Sequence, residues 1–207
     1  MTSTPTTTRS TRMPRSERRA QLLEAAQAVF VQSGYHAAAM DEIAERAGVS
    51  KPVLYQHFPG KLDLYLALLD THCDTLEQLV RRALETGDGD NEERVRATVA
   101  AYFDFVTRED AAFRMVFESD LTSVPQVRAR LDAVELACAE AIAEVIAEDT
   151  GADDERALLL GSALAGMAQV AARHWLAQDG DIPEAEAAAT ISTLAWRGLG
   201  SFPKVGG

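Results

Sequence analysis

One stretch, Met40 to Leu64 (MDEIAERAGVSKPVLYQHFPGKLDL), constrains the fold more than any other, because it encodes two short helices separated by a single tight turn. Met40, Ile43, Ala44 and Ala47 recur at i, i+3, i+4 and i+7, which lays one narrow apolar stripe along the first helix. Gly48 supplies the left-handed backbone that ends a helix at low cost, and Ser50 stands where it can cap the amides opening the next one. The second helix, about 51–58, buries Leu54 and Phe58 and turns Lys51, Pro52, Val53, Tyr55, Gln56 and His57 outward. This is the pattern of a helix-turn-helix over about 39–58.

The outward set is unusual for a solvated helix face. It offers a cation, hydrogen-bonding groups, an aromatic ring and small apolar side chains, without one carboxylate, and so suits a negatively charged partner with flat edges. The Ile43-Ala44, Ala47-Gly48-Val49-Ser50 and Leu54-Tyr55-Gln56-His57-Phe58 runs, with Lys61 beyond them, resemble the TetR family of bacterial transcriptional repressors over roughly Pro14 to Leu69. That resemblance implies a homodimer reading a palindromic double-stranded DNA operator and released by a small-molecule inducer. An activator and a nonspecific nucleoid-type protein share the same head and stay open as alternatives. One departure stands out: Ala39 occupies the position before Met40, where family members carry a Ser or Thr able to cap the helix and touch a phosphate.

Charge separates the chain into two regions. The net charge is −12, but the residues through Tyr65 carry +2 and the remainder −14. Arg9, Arg12, Arg15, Arg18 and Arg19 face only Glu17 in the first twenty positions. A basic arm on an acidic bulk orients the molecule in a phosphate field and disfavours coating of DNA by its far end. Residues 1–13 are Thr, Ser, Pro and Arg with hardly an apolar side chain, the composition of a disordered basic arm.

Helical periodicity continues through the rest. The spacing predicts helices from Ser16 to Gly34, from Lys61 to Leu84, and near 92–107, 110–117, 125–149, 154–178 and 183–198, with Leu22, Leu23, Ala26, Val29 and Phe30 inward on the first. GDGDN at 87–91 is the clearest break, with Asn91 placed to cap the helix after it. No alternation of strand type occurs. The expected fold is all-α, with a three-helix DNA-binding head in a domain spanning 14–69 and a six-helix ligand-binding and dimerisation body over 70–207. Ala157 to Ala172 lacks charge but is short and weakly hydrophobic for a membrane span, so a buried or interface helix is expected and no membrane partner.

Within the head, Lys51 and Gln56 are the expected base or phosphate donors, Pro52 and Val53 press on thymine methyls, and Tyr55 and His57 donate to backbone oxygens. Lys61, Arg15, Arg18 and Arg19 add cationic phosphate contacts. For an apolar effector, the body offers Tyr102, Phe103, Phe105, Phe113, Phe117, Met167, His174 and Trp175, which serve equally well as ordinary core. Small residues four apart, Gly161 with Ala165 and Ser162 with Gly166, would admit a partner helix, and Leu194 and Trp196 mark a second apolar face on the last helix. The family resemblance implies a four-helix dimer interface there. No catalytic, metal or cofactor constellation is legible: the four histidines lack ligand spacing, and Cys73 and Cys138 are too few and too far apart for a disulfide scaffold. The N-terminus shows no secretory pattern, and a reducing bacterial cytoplasm is the simplest setting.

Overall fold

A computed structural model describes residues 13–86, 90–108, 121–178 and 181–198. Among these the chain forms eight helices and no strand. They are α1 Arg15–Ala37, α2 Met40–Arg46, α3 Lys51–His57, α4 Lys61–Leu84, α5 Asn91–Arg108, α6 Pro125–Thr150, α7 Asp154–Ala177 and α8 Glu184–Arg197. The helix expected over 110–117 lies outside the described residues, as does most of the N-terminal arm. Residue contacts divide the chain into two units between Ala67 and Leu68, two residues from the boundary expected from sequence.

In the first unit, Leu22, Ala25, Ala26, Val29 and Phe30 line one face of α1 and are buried. Leu23, expected inward, is half-buried on the flank, and Ala25 takes the central register. Gly34 adopts φ 72°, which breaks α1 before its last turn. The turn after α2 is a Schellman motif: Val49 N–H donates to Ala44 O (3.0 Å) and Gly48 N–H to Glu45 O (2.9 Å), with Gly48 at φ 63°. Ile43, Leu54, Leu64 and Phe58 close the core at no more than 2% exposure.

Two caps differ from expectation. Ser50 stands at the N-cap of α3, but its side chain makes no cap hydrogen bond. Pro52 at the second helical position has no N–H to offer, and Val53 N–H goes instead to the Ser50 carbonyl (3.0 Å). At the start of α5 the cap is Asp90, whose carboxylate accepts from Glu92 N–H (2.9 Å) and Glu93 N–H (3.4 Å), while Asn91 is already helical. The carboxylate also complements the positive end of the helix dipole.

In the second unit α6 and α7 form a hairpin through Gly151, which is left-handed at φ 69°. Asp153 caps α7 by accepting from Arg156 N–H (2.9 Å). A Cβ placed on Gly161 would stand 2.3 Å from the Ala139 carbonyl oxygen, so this glycine is what lets α7 lie against the α6 backbone. α5 packs on α7 and α8, placing Val99, Tyr102, Phe103, Phe105 and Val106 in the core. Ion pairs tie Asp70 of α4 to Arg130 of α6, Arg94 of α5 to Asp149 of α6, and Glu92 of α5 to Arg197 of α8. Among the described residues no helix is long and apolar enough to cross a membrane.

Candidate nucleic-acid interface and body cavities

The outward face of α3 follows from its short register. Burial of Leu54 and Phe58 one turn apart leaves Lys51, Pro52, Tyr55 and Gln56 exposed and Val53 and His57 half-buried. Tyr55, at 47% exposure, is an aromatic that the fold leaves unused. Beside it the start of α1 contributes Arg15, Arg18 and Arg19. Arg15, Arg18, Ser50, Val53, Gln56 and His57 line a single cleft of about 810 Å³. Burial first, then the positive field of Arg15, Arg18 and Arg19, holds the His57 imidazole below the ordinary histidine range.

Three of these cations have protein partners. Lys51 Nζ pairs with Asp41 at 2.5 Å, with both side chains about 60% exposed, a contact that solvent screens and a phosphate would compete with. Arg18 donates to Gln21 Oε1 (2.7 Å), and Gln21 in turn donates to the Ala47 carbonyl (3.0 Å), tying α1 to the end of α2. Arg19 lies over the Phe58 ring at 4.6 Å. Gln21 has no signal in the sequence, because its role depends on which helix end happens to pass it.

Lys61 departs from the expected phosphate contact. Its ammonium donates to the carbonyls of Tyr35 (2.7 Å), His36 (3.1 Å) and Ala38 (2.8 Å), using all three hydrogens, and stands 4.6 Å from the Tyr35 ring centre. The side chain therefore fastens the turn between α1 and α2. Under it Phe30, Tyr35 and Tyr65 form a ring cluster with centroids 5.3–5.8 Å apart. Ala39, as its methyl side chain requires, gives α2 no side-chain cap.

The body residues expected around an effector fall in different places. Phe103 and Phe105 are buried, at 1% and 2% exposure. His174 is exposed on the outer side of α7. Trp175 lies tilted against Phe103, with ring centres 5.6 Å apart, and donates its Nε1–H to the Ile182 carbonyl (2.7 Å), and Met167 is half-buried. Phe113 and Phe117 lie outside the described residues. Tyr102 lines a cavity of about 480 Å³ between α4, α5, α6 and α7, together with Cys138, Leu131, Ser162, Gly166 and Gln169. Tyr102 and Cys138 hydrogen-bond there, and burial pushes the Cys138 thiol up to about 11. A second cavity of about 340 Å³ lies between α5, the end of α6, and the facing parts of α7 and α8.

The small residues of α7 also divide. Gly161 and Ala165 are buried, and Gly161 meets α6 of the same chain, so it is spent inside the unit and not at a partner face. Ser162 is exposed, and Gly166 has open space where a Cβ would stand. Leu194 is half-buried and Trp196 is 46% exposed.

A helix-turn-helix with a carboxylate-free outer helix and an arginine-lined flank defines a DNA-binding regulatory protein. Residues 22–68 match the family model described as bacterial regulatory proteins, tetR family. The chain is 47% identical over 195 residues to the transcriptional activator FasR of Mycolicibacterium smegmatis, covering 94% of this chain and 89% of that protein. It is 40% identical to the regulator TtgR of Pseudomonas putida over 73 residues, covering 35% of each. A TetR-like regulator from Rhodococcus sp. RHA1 superposes with a TM-score of 0.68 at 26% identity, covering 92% of this chain and all of that one. The chain belongs to the TetR family of transcriptional regulators.

Proposed function

We propose that this chain is a homodimeric, sequence-specific activator of transcription whose grip on a palindromic operator is adjusted by an apolar small molecule in the body. The observation that carries the activator reading is the reach of the FasR similarity, which runs through head and body alike at 47% identity. A repressor, expected from the head motif alone, has weaker support, because activators and repressors share that motif. Similarity to TtgR stops at about a third of the chain and speaks to DNA contact only.

In this reading α3 lies in a major groove. Gln56 and Lys51 donate to base edges or phosphates, Pro52 and Val53 contact thymine methyls, and Tyr55 and His57 donate to backbone oxygens. Arg15, Arg18 and Arg19 hold a neighbouring phosphate run. Lys61 acts as a positioning residue, fixing the turn that carries α2 into place. One head covers few base pairs, so the dimer supplies the rest, with half-sites about 34–36 Å apart or a multiple of that. The dimer face is built from Ser162, Gly166 and Trp196 with the exposed Leu159 and Val170, an apolar surface that a monomer would leave in water. Leu194, half-buried on α8, adds apolar surface to it.

Ser162 and Gly166 border both that face and the Tyr102 cavity. Occupancy of the cavity and dimer geometry are therefore coupled in this reading. A ligand moves the equilibrium only through differential affinity for the two poses, and a swing from 1:99 to 99:1 takes about 5.5 kcal/mol. The test is selection of bound genomic fragments, followed by transcription in vitro from a promoter beside the recovered palindrome. Added protein raises transcript several-fold if it activates. A fall in transcript makes it a repressor, and equal affinity for random DNA removes sequence-specific regulation altogether.

A further inference from the structure

The three arginines beside α3 are held in different ways. Arg19 lies over the Phe58 ring at 4.6 Å, and Arg15, at the start of α1, is exposed. Arg18 is half-buried in the wall of the cleft, and its Nη1 donates to Gln21 Oε1 at 2.7 Å. The two residues are three apart on α1 and so share one face of the helix. Arg18 also lies near enough to His57 for its charge to help hold the imidazole below the ordinary range.

Gln21 meets a second partner of the opposite kind. Its Nε2 donates at 3.0 Å to the Ala47 carbonyl, 26 residues along the chain. Ala47 is the C-cap of α2 and opens the turn into α3, a place where helix carbonyls lack a partner within the helix. The direction of the amide is settled by its neighbours, because a guanidinium accepts nothing and a carbonyl donates nothing. One side chain therefore spans from the turn to an arginine of the cleft. Few side chains serve both ends. Glutamate would hold Arg18 but has no hydrogen for Ala47, and lysine would reach the carbonyl but repel the guanidinium. Glutamate would also cancel the charge of the arginine. The neutral amide orients Arg18 through one of its five N–H groups and leaves four, with the full positive charge, for an anion. Lys51 is the contrast, since its partner Asp41 is a carboxylate that a phosphate must displace.

We infer that Gln21 is a positioning residue for DNA binding, holding the Arg18 guanidinium in register with the helix-turn-helix turn so that a backbone phosphate meets it at a fixed place beside α3. This rests on the reading of α3 and the α1 arginines as the DNA face. A side chain ordered before contact loses less freedom on binding, which is how a residue away from the phosphate strengthens the grip. Gln21 acts through Arg18, and its effect vanishes where Arg18 is absent.

A double-mutant cycle tests it. The full-length parent, Gln21→Met, Arg18→Ala and the double variant are titrated by fluorescence anisotropy with a genomic fragment recovered by selection and with a random-sequence duplex of equal length. Gln21→Met keeps the length of the side chain and removes both hydrogen bonds. Gln21→Asn, alone and with Arg18→Ala, keeps an amide too short to span both partners and guards against a packing effect of the thioether, with helical content followed for every variant. Both Gln21 substitutions should weaken binding roughly 3–10-fold where Arg18 is present and less than about twofold where it is absent. Arg18→Ala should lower the salt slope by about one. Equal losses in the two backgrounds make Gln21 a purely structural tie and overturn the inference, as do parent-like binding by either Gln21 variant or an unchanged salt slope in Arg18→Ala. Equal affinity of the parent for the two duplexes counts against sequence-specific regulation only, and the cycle is then read on the random duplex. Failure of the parent to bind either duplex removes the DNA face and the inference together.

Discussion

Replacing Gly161 and Gly166 separately by alanine asks which side of α7 is spent inside the chain. At Gly161 the new methyl would lie 2.3 Å from Ala139 O, 3.1 Å from Ala143 N and 3.3 Å from Ala139 C, all of them backbone atoms of α6 that no rotamer change can move. Restoring ordinary carbon contact takes roughly 1 Å of separation between the helices at that point. Overpacking of this kind costs about 1–3 kcal/mol, and the propensity gain of alanine over glycine returns up to about 1 kcal/mol. Gly161→Ala should therefore lose about 1–2 kcal/mol, equivalent to a fall in Tm of roughly 2–8 °C for a chain of this size. Gly166→Ala meets nothing within 4 Å and should gain about 0.5–1 kcal/mol within the chain itself. Urea unfolding followed by circular dichroism, at two protein concentrations because a dimer's stability depends on concentration, separates the effects. Gly161→Ala as stable as the parent would refute the close α6–α7 packing. A Gly166→Ala protein that loses stability only at the lower concentration would place Gly166 against the partner.

Further outcomes concern the first unit and the two cysteines of the second. Lys61→Met removes three donors to the turn at 35–38 and should destabilise by about 1–3 kcal/mol while leaving the salt dependence of DNA binding unchanged. Lys51→Ala should barely change stability and reduce the salt slope by about one, and the reverse pattern in operator titrations would return Lys61 to the phosphates. His57 is held below the ordinary histidine value of about 6.5 in the free protein, and duplex phosphates would favour its charged form. Because the bound value then exceeds the free one, affinity rises as pH falls through the region around and below 6.5, and a His57→Gln protein with the same pH profile would remove His57 from the contact. Burial, then Asp70 and Asp74, pushes the Cys73 thiol up to about 12, and Cys138 stands near 11, so both should resist alkylation at pH 8 until the chain is unfolded. Rapid native labelling of either would contradict the packing around them.

The head was legible because its determinants are local. The Ala44 to Val49 turn needs one glycine in a left-handed conformation, and the burial of Leu54 and Phe58 dictates what α3 shows outward, so a window of some twenty residues contains the whole argument. Part of what the sequence reading missed depends on contacts across many residues, and part on a neighbour one or two positions away. Lys61 stands at the opening of a helix, a position that favours an anion, yet its ammonium finds three carbonyls 23 to 26 residues earlier. Ser50 looks like a cap until Pro52 is seen to have removed the amide it would cap. In the same way Asn91 yields to Asp90, whose charge makes it the stronger acceptor one position earlier.

The body was legible in class but not in detail, and the reason is the degeneracy of helical faces. An aromatic at helical spacing satisfies core packing and cavity lining equally: Tyr102, Phe103 and Phe105 are all buried at 1–2% exposure, and Tyr102 nonetheless lines a cavity. The glycine and alanine pairs on α7 show the same ambiguity one residue apart. Gly161 and Ser162 are adjacent in sequence, yet about 100° of helical rotation sends the first against α6 and the second into the open. A small-residue motif therefore states that something approaches closely without stating whether it is the same chain or another. For Gly161 the answer is α6, which moves the weight of any partner contact onto Ser162, Gly166 and the exposed apolar side chains along that face. It also places the wall of the Tyr102 cavity and the proposed dimer surface on the same side chains, so a ligand needs no long relay to bias the pairing of two copies.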